Sequence, residues 1–312
     1  MKIVFMGTPQ FAVPSLRILV NNEYDIAVVV TVPDKKQGRG QKVEQSDIKK
    51  FALQYDLNIL QPESLKDPSF IDSLKALSPD LIIVVAFRIL PKEVFTIPKL
   101  GSFNLHGSLL PKYRGAAPIN WAIINGDAET GVTTFFLKPK VDTGNIILQE
   151  KITIDPDDDS GTIHDKLSEL GAETVLKTVK LIESGNVIEV RQDNSLSSTA
   201  PKIFKEDCLI NWNSGSVKIH DFIRGLSPYP GAFTYLNKKS VKVYRSMLTG
   251  IEAASSPGKI IIDQKKIFVC TNDKLLQILE LQLEGKKRVA AIDFVNGMNK
   301  QSENTFTGNP FG

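Results

Sequence analysis

Short, almost unbroken apolar runs alternate with segments of helical period through the first half of the chain. Residues 2–6, 25–32, 57–60, 80–87 and 102–106 read as strands. Helical patterns fall between them over about 11–20, 47–55 and 68–76, the last with Pro68 in its first turn. Strands apolar at nearly every position, rather than at every second one, predict a parallel sheet covered on both faces. The expected fold class is α/β, with a Rossmann-like, mostly parallel sheet in the N-terminal domain.

Ile163, Leu167, Leu170, Val175, Val179 and Ile182 then recur at helical spacing, with Ser160 as the expected N-cap and Gly185 as the stop. Residues 189–204 are polar, rich in Ser and Thr, and without a period, which predicts a linker. Beyond them a helix is expected near 217–226, then a turn at Ser227-Pro228-Tyr229-Pro230-Gly231. Five short strands follow at 232–236, 240–247, 259–262, 266–271 and 275–283. Asn237-Lys238-Lys239 and Asp263-Gln264-Lys265 are the expected hairpin connections. So many short strands in so short a stretch predict a small OB-like β-barrel. The chain thus divides into an N-terminal domain (1–188), a linker (189–204) and a C-terminal domain (205–312).

Composition changes this picture little. The 312 residues are 42% hydrophobic and 23% charged, ordinary for a globular protein. The longest apolar runs, such as 81–87, are strand-sized and far short of the ~20 residues of a membrane span. The N-terminus enters a strand with no signal-peptide pattern. A cytoplasmic protein without a membrane partner is expected. Cys208 and Cys270 are too few for a disulfide framework, and His106, His164 and His220 have no metal-motif spacing, so no metal site is expected. His164 and His220 read as structural, Trp121 and Trp212 as core anchors. Net charge is only +3, but residues 205–312 hold 15 Lys and Arg against 10 Asp and Glu. A basic C-terminal third suits either nucleic acid or a solvated lysine-rich surface.

The loop after the first strand, Gly7-Thr8-Pro9-Gln10-Phe11-Ala12, lacks the spacing of the dinucleotide fingerprint, which argues against a dehydrogenase. The chemistry concentrates in residues 101–121. Asn104 and His106 lie two apart at a strand end, so their side chains share a face. Gly107, Pro111, Gly115 and Pro118 shape the loop beyond. Asn offers a fixed amide donor and His can move a proton near neutral pH. That pair suits a reaction in which negative charge grows on a carbonyl oxygen while an amine loses a proton. Asp142, in Val141-Asp142-Thr143-Gly144, is a candidate to orient the imidazole. A single His at a strand end also serves structural roles, and spacing alone reaches only a small-molecule transferase or binding domain. No Gly-x-Ser-x-Gly elbow marks a covalent nucleophile.

Asn104-Leu105-His106-Gly107-Ser108-Leu109-Leu110-Pro111, Arg114-Gly115-Ala116-Ala117-Pro118-Ile119 and Asp142-Thr143-Gly144 resemble the folate-dependent formyltransferase family. The opening Met6–Ala12 segment, Pro33-Asp34 leading into Gly38-Arg39-Gly40-Gln41-Lys42, and residues 126–133 extend the resemblance over nearly the whole chain, toward members that act on tRNA. The resemblance implies His106 in proton transfer and formyl polarisation, Asn104 on the oxyanion, and Asp142 holding the His. It implies a folate site lined by Ser108, Leu109, Leu110 and Pro111, opposite Phe87, Arg88 and Ile89. It implies 10-formyltetrahydrofolate as formyl-donor substrate, methionyl-initiator tRNA as acceptor, and no metal; a monomer is expected. The stretch Ala86-Phe87-Arg88-Ile89-Leu90-Pro91 departs from the family's usual Ala-Tyr-Gly-x-Ile-Leu-Pro, being one residue shorter and lacking the Gly.

The loop at 34–42 is basic and contains two glycines, so it attracts phosphates or simply stays solvated. The resemblance places its Lys35, Lys36, Arg39 and Lys42 on the tRNA. Lys238, Lys239, Lys242 and Arg245, and the cluster Lys286-Lys287-Arg288, are further RNA candidates or a charged edge that discourages aggregation. The competing readings keep the chemistry and change the acceptor to a sugar-nucleotide or ribonucleotide amine, or keep the fold as a non-enzymatic RNA-binding protein. The Asn104, His106 and Asp142 set disfavours the last.

Overall fold

The computed structural model describes residues 1–37, 42–297 and 305–307. Contacts divide the chain into two compact units. The first comprises residues 1–115, 130–152 and 164–200, and the second comprises residues 116–129, 153–163 and 201–312. Two inserts from the expected N-terminal domain therefore belong with the second unit, whereas hydrophobic periodicity suggests one cut. Periodicity reports which residues are buried, not which core they enter.

Among the described residues, seven strands form the main sheet of the first unit: β1 (Lys2–Gly7), β2 (Asp25–Val30), β3 (Ile59–Leu60), β4 (Leu81–Val85), β5 (Ser102–His106), β6 (Glu129–Phe136) and β7 (Ile146–Thr153). Their order is β7-β6-β5-β4-β1-β2-β3. The pairs β1/β2, β2/β3, β1/β4 and β4/β5 are parallel. Consecutive residues Ile3, Val4, Phe5 and Met6 are fully buried, as are Leu81, Ile82 and Ile83. Both faces of these strands are covered, each large side chain contributing roughly 1.5–3 kcal/mol by leaving water. The run at 80–87 ends as a strand at Val85 because Ala86 turns to φ +46°. β5 pairs antiparallel with β6, with His106 opposite Thr133. β6 and β7 are absent from the periodic reading: β6 is buried at Thr130 through Phe135 without alternation, and its Thr-rich run carries little apolar signal.

The long helix runs Ser160–Glu183. Its cap is Asp159, not Ser160: the Thr162 amide donates to Asp159 Oδ1 at 2.9 Å and Thr162 Oγ1 accepts from the Asp159 amide at 2.9 Å. A carboxylate and a hydroxyl here satisfy each other's backbone donors. Ser160 instead donates its hydroxyl to the Ser227 carbonyl. Gly171 lets this helix lie against β5, since a Cβ there would stand 2.6 Å from Leu105 Cδ2, between Asn104 and His106 in sequence. No described helix is long and apolar enough to cross a membrane.

In the second unit, β8 (Ala232–Leu236), β9 (Lys239–Glu252), β10 (Ile260–Asp263), β11 (Lys266–Cys270) and β12 (Lys274–Leu283) form a sheet in the order β8-β9-β12-β11-β10, and β13 (Val289–Ala290) pairs with β12. The pairs are antiparallel. Two tight hairpins place both central residues at positive φ, Asn237 and Lys238 at 50° and 64°, and Gln264 and Lys265 at 46° and 64°. That conformation matches the twist of the flanking strands. Thr307 bridges Tyr235 on β8, and Thr305 bridges Lys259 beside β10, so residues 305–307 connect the two edges of the sheet. This closure is compatible with an OB-like barrel. Trp212 stacks on Phe306 at 5.6 Å inside it and donates its indole N–H to Thr234 Oγ1 at 3.0 Å. Ile219, Ile223 and Leu226 of the helix Ser216–Leu226 enter the same core.

Candidate active site

In a doubly wound sheet the strand C-termini open onto the ligand crevice. The ends of β4 and β5 carry the residues singled out by the sequence. Asn104 and His106 project to one face of β5, separated by the buried Leu105. Asn104 is half-buried, and its side-chain amide has no hydrogen-bond partner among the described residues. A donor held in place and left unused suits a substrate oxygen.

His106 is 6% exposed, and its Nε2 lies 2.8 Å from the Tyr113 carbonyl oxygen. A carbonyl only accepts, so Nε2 carries the hydrogen and donates it. In the neutral ring the lone pair therefore sits on Nδ1, which faces Asp142 Oδ2 at 4.0 Å. The proton-accepting nitrogen is the one beside the carboxylate, where an imidazolium finds its counter-charge. Tyr113 holds its carbonyl in place from a backbone φ of +61°, a region costly for a bulky residue and sustained only by surrounding contacts. One of these is its amide donating to Ser198 Oγ at 2.9 Å.

Asp142 is 9% exposed and also has positive φ, +53°. Its Oδ2 accepts from the Gly115 amide at 2.9 Å. Two glycines allow the approach. A Cβ on Gly115, which has φ +130°, would stand 2.5 Å from the Ala200 carbonyl oxygen, and one on Gly144 would overlap the Phe136 carbonyl. Gln192, 6% exposed, spans both segments: its Nε2 donates to the Asp142 and Gly144 carbonyls at 3.0 and 2.8 Å, and its Oε1 accepts from Arg114 Nη2 at 2.6 Å. Gln192 lies in the stretch expected to be a linker. That stretch carries the short helix Asn194–Leu196 and the strand Thr199–Ala200, the latter paired parallel with Arg114–Gly115. Its order comes from partners 44 to 85 residues away, for which the local sequence holds no periodic signal.

The expected folate residues divide in two. Ser108 is fully buried and donates to the Lys112 carbonyl at 2.7 Å; its own carbonyl accepts from Thr133 Oγ1 at 2.6 Å. Leu110 is buried against Phe135 and Ile146. Gln149 Nε2 fastens the same turn through the Leu110 carbonyl at 2.8 Å. These groups hold the loop from within. Leu109 and Pro111 stay half-buried. Phe87 is half-buried against the core beneath β4, Ile89 is 74% exposed, and Arg88 donates to the carbonyls of Pro62 and Glu63 at 2.9 and 3.0 Å. Arg88 thus ties down a loop that lacks the family's glycine.

Of the basic loop, Lys35 is exposed, Lys36 lies on the short strand Lys35–Gln37 and Lys42 on Lys42–Glu44, while Arg39 lies outside the described residues. The loop's base is anchored by Asp34, whose carboxylate meets Lys49 Nζ at 2.6 Å. In the second unit Lys238, Lys239 and Arg245 are exposed, and Arg288 is held by Glu280 at 2.6 Å over the Tyr244 ring. Lys242, Lys202 and Lys205 line a cavity of about 420 Å³ together with Tyr229, Asn120 and Cys208. Lys202 and Lys205 have no periodic or motif context in the sequence and so carry no local signal of a site. Among the described residues no cluster of three or more His, Cys, Asp or Glu side chains could hold a metal.

Residues 1–179 match the formyl transferase family, and residues 202–299 match the formyl transferase C-terminal domain. The methionyl-tRNA formyltransferase of Flavobacterium johnsoniae is 49% identical over 308 residues, covering 97% of this chain and 98% of the relative. That of Azobacteroides pseudotrichonymphae is 50% identical over 309 residues, 95% of each chain. Among solved structures, an N-formyltransferase from Helicobacter canadensis, in complex with folinic acid and dTDP-3-aminofucose, shares the fold. Its TM-score is 0.66 at 23% identity, covering 93% of this chain and all of the other. HypX from Aquifex aeolicus, in complex with tetrahydrofolic acid, gives a TM-score of 0.66 at 18% identity; this chain spans about half of HypX. With two family domains matched in order and near-half identity from end to end, the chain belongs to the formyl transferase family.

Proposed function

We propose that the chain transfers the formyl group of 10-formyltetrahydrofolate to the amino group of methionine esterified to initiator tRNA. The product is the N-formylmethionyl-tRNA used to start translation. Relatives of that name at near-half identity and full coverage support the acceptor. One structural observation carries the chemistry: His106 presents Nδ1 to Asp142, while the Asn104 amide on the same strand face is unused.

The amine nitrogen attacks the formyl carbon, forming the new C–N bond while the carbonyl oxygen takes up negative charge. The Asn104 amide donates to that oxygen. The amine proton passes to the His106–Asp142 pair. The bond from the formyl carbon to the folate nitrogen then breaks, and the pair returns a proton to that nitrogen. Formylated amine and tetrahydrofolate leave, and the site regains its starting protonation. The donor arrives as a substrate with its one-carbon unit at the right oxidation level, so the scheme involves no metal or redox step. Phe87, Arg88 and Ile89 with Leu109 and Pro111 line the folate site, and Ser108 and Leu110 shape its wall from behind.

The first unit is the catalytic domain and the second the tRNA-binding one. Lys35, Lys36, Arg39 and Lys42, with the lysines around the second unit's cavity, contact the RNA backbone. The protein works in the cytoplasm as a monomer with no membrane partner. The test is a transfer assay with radiolabelled 10-formyltetrahydrofolate and three acceptors: methionine on initiator tRNA, methionine on elongator tRNA, and a sugar-nucleotide amine. Label on initiator tRNA alone is expected. Label on the sugar, or on none of the three despite folate binding, refutes the acceptor assignment.

A further inference from the structure

We infer that Gln192 is a positioning residue for formyl transfer, acting on the His106–Asp142 pair through the backbone of the 142–144 turn; this rests on the function proposed above. Gln192 is almost fully buried, and its carboxamide uses its whole hydrogen-bonding capacity. The two N–H groups go to the Asp142 and Gly144 carbonyls at 3.0 and 2.8 Å, and the oxygen receives Arg114 Nε at 3.1 Å and Nη2 at 2.6 Å. These partners flank the bond that fixes the catalytic carboxylate, from the Gly115 amide to Asp142 Oδ2 at 2.9 Å. One side chain thus holds the donor segment and the acceptor turn in a single frame.

The turn needs such a frame. Asp142 has φ +53°, a left-handed conformation that aspartate tolerates better than most residues but that still relies on its surroundings to hold it. The strand after it is aligned by the segment that carries Gln192: Ile146 and Val190 exchange both backbone hydrogen bonds at 2.8 and 2.9 Å, and Asn145 Nδ2 donates to Glu189 Oε2 at 2.7 Å. Residues 189–192 therefore lie along 142–146, and Gln192 closes that contact at the catalytic end. Asp142 Oδ2 stands 4.0 Å from His106 Nδ1, a distance at which a small displacement of the turn decides whether the imidazolium has a counter-charge. The hydrogen bonds of Gln192 go to the Asp142 and Gly144 carbonyls and to Arg114, not to the imidazole, so its effect passes through Asp142.

The test is a double-mutant cycle read by single-turnover transfer. Gln192→Glu keeps an oxygen toward Arg114 but sets a second oxygen against two carbonyls. It is expected to slow transfer by about tenfold or more, with folate affinity and the KM for the charged tRNA within about twofold. In an Asp142→Asn background the same substitution is expected to change the rate by less than about twofold, because the group it positions is gone. Gln192→Ser, which leaves room for water at both carbonyls, runs in parallel and carries the test if the glutamate variant does not fold. A wild-type rate for a folded Gln192 variant, or an equal loss in both backgrounds, overturns the inference. If Asp142→Asn alone keeps the wild-type rate, the proposed mechanism fails, and the inference with it. If the wild type formylates a different amine, the acceptor assignment fails, and the cycle is run on that amine with the same expected outcomes.

Discussion

The Asn104, His106 and Asp142 cluster and the cations of the basic loop and second unit put charge and polarity to opposite uses. In the first, His106 and Asp142 are less than a tenth exposed, and each is held by a named partner, the Tyr113 carbonyl and the Gly115 amide. In the second, Lys35, Lys238, Lys239 and Arg245 stand in solvent. A buried polar group gains strength from low dielectric and depends on every neighbour that fixes it. An exposed cation contributes a small, screened increment that adds to the others. Chemistry should therefore fail at single substitutions, and RNA affinity only when several cations are removed.

The largest expected effect is at the pair itself. His106→Ala and Asp142→Asn should each lower the single-turnover rate by about 10²–10⁴-fold while folate binding, followed by fluorescence quenching, persists. A rate near wild type for either would erase the contrast. Asn104→Ala should cost about 10²–10³-fold, concentrated in kcat, because its amide is otherwise unengaged; an effect confined to KM would make it a ground-state contact.

Replacing Lys35, Lys36, Arg39 and Lys42 together by Ala should weaken tRNA binding and reduce the slope of log affinity against log salt by roughly three, with kcat little changed. An unchanged slope would remove that loop from the RNA. The smallest effect concerns the second unit's stability. Asp273 accepts from the Ser216 amide at 2.7 Å at the start of the helix Ser216–Leu226 and from Thr271 Oγ1, bonds that pull its pKa down to about 2. A depressed carboxyl stabilises the fold above its unfolded value of 3.8, and that contribution disappears as pH falls through about 2. Asp273→Ala should cost about 1 kcal/mol near neutral pH, allowing for the group's exposure. In urea unfolding, the gap between variant and wild type should close between pH 4 and pH 2.

Much of the fold was legible from the residues alone. Unbroken apolar runs at 2–6 and 81–85 belong to strands covered on both faces, and the short strands after 232 pair as expected. The antiparallel β6 was not legible, because its buried Thr133 and Thr134 read as polar while their hydroxyls are satisfied by the distant partners Ser108 and Thr178. The cap of the long helix moved by one residue because Ser and Asp are both good caps, and only the local hydrogen bonds decide between them.

The sequence by itself determined that Asn104 and His106 share a face, since strand period permits nothing else. The resemblance of the motifs around Asn104, His106 and Asp142 pointed to the family. Only the tertiary structure decided which imidazole nitrogen is free, how Asp142 reaches it and that Gln192 holds the turn. The strand period is local and repeats every two residues. The Tyr113 carbonyl and the Gly115 amide are set by backbones at positive φ, and the Gln192 carboxamide reaches partners as many as 78 residues away, geometry that exists only once the chain around them is packed.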